Sequence, residues 1–153
     1  MNTVPLDDVA DEKLGSTEIQ LGILSIPFFF ARRKFREGKT TDGVKVYALG
    51  DGFKTDFFGL VERNLDSTIL RIQHLKKSDR GEVVHSKLGG KEVFLAHFWE
   101  LLKLDPRPFV VAPCRGQFVF AHWRIDREGW FVDACPITTR RFRLEEGDQI
   151  GTR

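Results

Sequence analysis

The sequence predicts a β-rich α+β domain: a curled, mostly antiparallel sheet or partly open barrel with one main helix packed on it. Three observations carry this expectation. Short runs of β-branched and aromatic residues recur along the chain between Gly-containing turns. Only residues 91–104 combine helical spacing of apolar residues with a clear stop, Asp105-Pro106-Arg107-Pro108. Residues 116–137 read as a complete β-hairpin, and sequential strands joined by short turns imply antiparallel neighbours.

The hairpin fixes the frame. Residues 117–125 and 130–135 are rich in β-branched and aromatic side chains, and Asp126-Arg127-Glu128-Gly129 between them suits a type I turn. A four-residue loop sets Ile125 against Trp130, Trp123 against Val132 and Ala121 against Ala134, which makes one face wholly apolar. The other face then has His122 opposite Asp133 and Phe120 opposite Cys135. A three-residue loop with Gly129 in a bulge is the competing register; it sets His122 against Ala134 and mixes polar with apolar on both faces. Consistency of the buried face favours the first.

Upstream, Asp7, Asp8, Asp11 and Glu12 oppose only Lys13, so residues 1–15 read as a flexible acidic tail. Alternation at Ile19, Leu21 and Ile23 predicts a strand. Residues 28–38 form either a helix, with Pro27 at its first position and Gly38 past its end, or a buried strand running to a basic edge; the helix is preferred. Asp42-Gly43 predicts a turn, 44–49 a strand, Gly50-Asp51-Gly52 a turn, 53–61 a strand and 62–66 a turn. A strand over 67–75, a loop over 76–81 and a short strand over 82–87 follow. After the helix come a strand at 109–113, the hairpin and an edge strand at 138–144. The globular domain spans 16–146, with 147–153 as a C-terminal tail.

Composition narrows the function classes. A chain of 153 residues can build one core, and 14 Phe against one Tyr make that core Phe-dominated. A net charge of +2 does not mark a dedicated polyanion binder, although basic residues cluster locally. Two widely spaced Cys and four scattered His match no zinc motif, so no metal and no cofactor is expected. No apolar run approaches the roughly 18 residues of a membrane span, and no secretion leader is evident. A cytoplasmic protein without membrane contact is the expectation.

Two readings of function come from different classes. The first is a binding module that contacts a protein partner, a second copy of itself or nucleic acid through an Arg- and Phe-rich face: Arg32, Arg33, Lys34, Arg36, Arg124, Arg140, Arg141 and Arg143 with Phe28 to Phe30. Single-stranded nucleic acid is held by cations along its backbone and by aromatic rings under its bases. The second is a cysteine-dependent hydrolase or acyl transferase, with Cys135 or Cys114 as nucleophile, His122 as base and Asp133 orienting it. Over the hairpin alone the chain resembles the closing hairpin of papain-like peptidases, but Gln117 stands where that family opens the strand with His, and no Cys lies at an upstream helix start. His97, on the apolar helix face, reads as a core histidine. Gly89-Gly90-Lys91 before the helix offers amides for an incidental anion.

Overall fold

The computed structural model describes residues 15–89 and 91–153, with side chains described from residue 19. The expected acidic tail therefore lies almost wholly outside the described residues. Twelve strands and four short helices follow in the order β1 (Gly15–Ile23), β2 (Ile26–Phe30), α1 (Ala31–Lys34), β3 (Lys39–Thr41), β4 (Val44–Leu49), α2 (Asp51–Asp56), β5 (Val61–Leu65), β6 (Thr68–Leu75), β7 (Asp79–Arg80), α3 (Gly81–Lys87), α4 (Leu95–Lys103), β8 (Phe109–Cys114), β9 (Gln117–Arg124), β10 (Gly129–Pro136), β11 (Arg143–Leu144) and β12 (Gln149–Thr152). Eight strands make one curled, unclosed sheet in the order β1-β6-β12-β8-β9-β10-β4-β3, and the pairs β7/β11 and β2/β5 form small ribbons. All pairings in the large sheet are antiparallel except β10/β4 and β12/β8. The β-rich α+β expectation holds.

Alternation along the central strands sends side chains to two cores. Val110, Ala112, Val119 and Ala121 join the larger core under α4, α2 and the β2/β5 ribbon. Val111, Phe118 and Ile150 join a smaller one on the opposite face, under α3 and β11. The larger core is mostly aliphatic and not Phe-dominated as expected, but its bulkiest members form a cluster of rings: Phe35 packs on Phe53 at 4.8 Å and on Trp99 at 5.0 Å, and Phe53 stacks on Phe57 at 5.6 Å.

Several elements differ from expectation, each for a local physical reason. Residues 28–38 divide between the two expected forms: Phe28 to Phe30 end β2, with Pro27 inside that strand, and one helical turn, Ala31–Lys34, follows. The predicted turn at Gly50-Asp51-Gly52 opens α2, so the strand expected at 53–61 is replaced by that helix. A Cβ on Gly50 would collide with the Asp133 carboxyl group, and one on Gly52 with the Ala134 carbonyl oxygen. These glycines let the helix start lean directly on β10. Residues 62–66, expected as a turn, lie mostly in β5, and 82–87, expected as a strand, lie in α3. The C-terminal tail expected at 147–153 is instead β12, a central strand between β6 and β8 with Ile150, Gly151 and Thr152 buried. Only Arg143–Leu144 of the expected edge strand forms.

The main helix, α4, has no side-chain acceptor of its own at its N-cap, Phe94. The carboxylate of Glu62, buried on β5, fills that role: Leu95 N–H donates to Oε2 at 2.9 Å and Ala96 N–H to Oε1 at 2.8 Å. His97 Nδ1 accepts the Phe94 N–H at 3.4 Å. Burial pushes the Glu62 carboxyl up, and the two amides oppose that shift. Removing the carboxylate leaves buried helix amides unpaired, so Glu62→Ala is expected to lower unfolding stability by about 2–3 kcal/mol. Urea denaturation checks this; an unchanged midpoint would show that the cap is idle.

Candidate functional site

The hairpin forms in neither expected register. β9 and β10 pair Trp123 with Trp130, His122 with Phe131, Ala121 with Val132, Phe120 with Asp133 and Phe118 with Cys135. The loop is Ile125 to Glu128: Arg127 N–H donates to the Arg124 carbonyl at 3.1 Å, and Glu128 takes the left-handed conformation at φ 49°. Gly129, read as a turn residue, is the first residue of β10, where a Cβ would stand 3.0 Å from that of Tyr47 on β4. The shift from the preferred register is two residues, and an even shift keeps every side chain on its face. Trp123, Trp130, Val132 and Ala134 therefore stay on the core side as expected, while Ile125 is carried into the loop, 83% exposed.

That shift separates the thiol constellation. His122, Asp133 and Cys135 share a face, but Phe131 stands opposite His122, with Asp133 two residues and Cys135 four residues farther along, about 13 Å at strand spacing. Asp133 is occupied elsewhere: its Oδ1 accepts the Phe53 N–H of α2 at 3.1 Å and the Ala134 N–H at 2.8 Å. Burial raises the Cys135 thiol, against a hydrogen bond from Thr139 that lowers it. Cys114 is fully buried, and burial with the nearby Glu62 and Glu92 pushes its thiol up to about 12. The sequence pattern could not distinguish these arrangements, because both registers that share a face look alike in hydrophobicity.

The basic residues fall into three separate places. Arg32, Arg33 and Lys34 lie on α1, with Arg36 just beyond it, on the side of the larger core. Arg124 ends β9 and pairs with Asp126 at 3.4 Å. Arg140, Arg141 and Arg143 lie near β11, over the smaller core on the opposite side of the sheet. They do not form one face. Lys34 is also engaged: it bonds Asp42 at 2.7 Å, and Asp42 takes the Trp99 indole N–H at 2.9 Å, so Lys34 and Trp99 hold that carboxyl below its usual range.

Among the described residues, only the first of these clusters has guanidinium groups over aromatic rings; Phe28 and Phe30 belong to the face read from the sequence, whereas Arg63 and Phe58 do not. Phe28 faces Arg63 and Phe30 faces Val61 across the β2/β5 ribbon, pointing away from the inward pair Phe29 and Glu62. The Phe28 and Phe30 rings lie within 15° of parallel at 6.2 Å. The Arg33 guanidinium covers Phe30 at 4.2 Å, Arg63 covers Phe28 at 5.7 Å and Arg32 covers Phe58 at 5.5 Å. Phe28 is 57% exposed. Arg32, Arg33, Arg36 and Arg63 have no carboxylate partner among the described residues. Alternation of Phe28 with Phe30 and of Val61 with Arg63 was the available signal, hidden by reading 28–38 as a helix and 62–66 as a turn.

Among the described residues no three His, Cys, Asp or Glu side chains are grouped to hold a metal ion, and no helix is long and apolar enough to cross a membrane. No protein-family model matches the chain, and neither a curated protein nor a solved structure is significantly similar to it. The thiol geometry makes a direct prediction. In the native protein at pH 5 to 9, iodoacetamide should modify Cys135 slowly and leave Cys114 intact, and His122→Ala should change neither rate. Mass spectrometry locates the label. A fast thiol that slows in His122→Ala would restore the separated pair.

Proposed function

We propose that the chain is a small binding module that holds single-stranded nucleic acid on the outer face of the β2/β5 ribbon and α1. The observation that carries this reading is the continuous stack Arg33, Phe30, Phe28, Arg63, in which guanidinium groups flank two near-parallel rings, Phe28 exposed and Phe30 half-buried. Every base has a face that stacks on an aromatic ring, and unpaired guanidinium groups beside it attract the phosphates between bases. The local charge favours a polyanion even though the whole chain is near neutral: Arg32, Arg33, Lys34, Arg36 and Lys39 stand against Glu37 and the Asp42 that pairs with Lys34. Cysteine chemistry is not proposed, because the register separates His122 from Cys135 and burial raises both thiols.

A protein partner is the second reading, supported by Val61, 42% exposed, beside the same rings. Arg and aromatic residues are also the usual anchors of protein interfaces. Fluorescence anisotropy with a labelled single strand of about ten nucleotides separates the two. The nucleic-acid reading expects binding that weakens steeply with salt, a loss of roughly 5- to 150-fold in Phe28→Ala, and little change in Arg140→Ala. Absence of binding at low salt, or equal affinity in Phe28→Ala, overturns it.

A further inference from the structure

Beyond the aromatic ribbon, the fold builds a second cationic feature. An open groove of about 900 Å³ lies between the end of β1 and the start of β6. Among the described residues, Arg71, Lys91 and Arg153 are its charged lining residues, Ser67 and Thr68 add hydroxyl groups, and no acidic side chain lines it. Ile23, Leu24 and Ile69 supply apolar wall, with Leu24 85% and Ile69 52% exposed. A second cavity of about 230 Å³ shares Ser67, Thr68 and Arg153 with the groove; Asp66 and Phe94 also line it, and so does His97.

Arg153 is fixed before any ligand arrives. Its Nε donates to the Glu92 carbonyl at 2.5 Å, and its guanidinium lies over the Phe94 ring at 4.7 Å. Its backbone exchanges hydrogen bonds with Lys91 at 3.0 and 3.2 Å. Neither Arg71, Lys91 nor the terminal nitrogens of Arg153 bond a carboxylate among the described residues. His97 adds an independent sign of a ligand. It is 1% exposed, and because Nδ1 accepts the Phe94 N–H, the ring proton sits on Nε2. That Nε2 has no partner among the described residues. A buried donor left unpaired is costly, and an incoming acceptor would recover that cost. Burial first, and then the charge of Arg153, push the His97 pKa down to about 4, so the ring is a neutral donor at physiological pH.

We infer that the groove and its inner cavity form a binding site for the phosphate-monoester group of an organic phosphate. Such a group carries close to two negative charges and three acceptor oxygens, which suits the two guanidinium groups, the ammonium and the two hydroxyls that line the groove better than a single carboxylate does; the adjoining cavity adds the neutral His97 N–H, with Asp66 as a carboxylate in its lining. The apolar wall receives the organic part. The same chemistry is offered by a free small molecule and by the terminal phosphate of a strand. This inference is independent of the ribbon: each can fail alone.

Phenyl phosphate is the probe, titrated calorimetrically into the full chain, with long-range ¹H–¹⁵N spectra following His97. The expected result is binding that moves the His97 Nε2 resonance and weakens roughly 10- to 150-fold in Arg71→Glu, an exposed position, and likewise in Lys91→Glu should the first variant not fold. No binding, equal binding by the variants, or binding that leaves His97 Nε2 unmoved overturns the site. A 5′-phosphorylated oligonucleotide that gains an Arg71-sensitive factor over its 5′-hydroxyl form assigns the phosphate to a strand end; equal affinity of the two forms assigns it to a free small molecule.

Discussion

Carboxylates that reach from strands to the N-termini of helices hold this fold together. Neither α2 nor α4 has an N-cap residue whose side chain could accept from the first amides: their N-caps are Gly50 and Phe94. Asp133 of β10 serves the first and Glu62 of β5 the second. A helix start has several amides without intrahelical partners, and burying them unpaired would cost more than a short helix can recover from its own propensity. The two bonds therefore do more than finish the helices. They fix where α4 sits against the β2/β5 ribbon and where α2 sits against the sheet, and so where the Phe35, Phe53, Phe57 and Trp99 rings meet.

The same constraint decides the chemistry of the surface. Asp133, the residue that a catalytic reading would place beside His122, is committed to the Phe53 amide. Glu62 raises the thiol of Cys114 instead of activating it. By holding Phe29 and Glu62 inward, the ribbon turns Phe28, Phe30 and Arg63 outward. The exposed aromatic stack is thus the outer side of a strand pair whose inner side caps the main helix.

How much of this was legible in the sequence follows from the range of each signal. Two patterns read over a few neighbouring residues were read correctly: the Asp42-Gly43 turn forms, with both residues at positive φ between β3 and β4, and the core face of the hairpin is the expected one. Signals that depend on distant partners were not. Gly50 and Gly52 look like turn glycines, and only the approach of Asp133 and Ala134 shows why a helix needs them. Residues 149–152 look like a tail because Gln149, Gly151 and Thr152 carry little apolar character, yet the strand is central, with Gly151 making room for Leu101. Register was lost for a related reason: a two-residue slide preserves hydrophobic alternation while it re-pairs every residue, so composition could place the faces of the hairpin but not His122 relative to Asp133.

A double-mutant cycle at Gly50 and Asp133 tests the capping account most directly, because a Cβ at Gly50 would occupy the space of the Asp133 carboxyl. Gly50 has φ −80° and ψ 165°, which suits an ordinary N-cap residue. Measured by urea denaturation, Asp133→Ala and Gly50→Ser should each destabilise the protein, the first by losing the cap and the second by collision. Together they should be more stable than either alone by about 0.5–2 kcal/mol, as the introduced hydroxyl takes over the Phe53 amide. Strictly additive losses would contradict the account, since they would mean that the carboxylate and the helix start do not share one site.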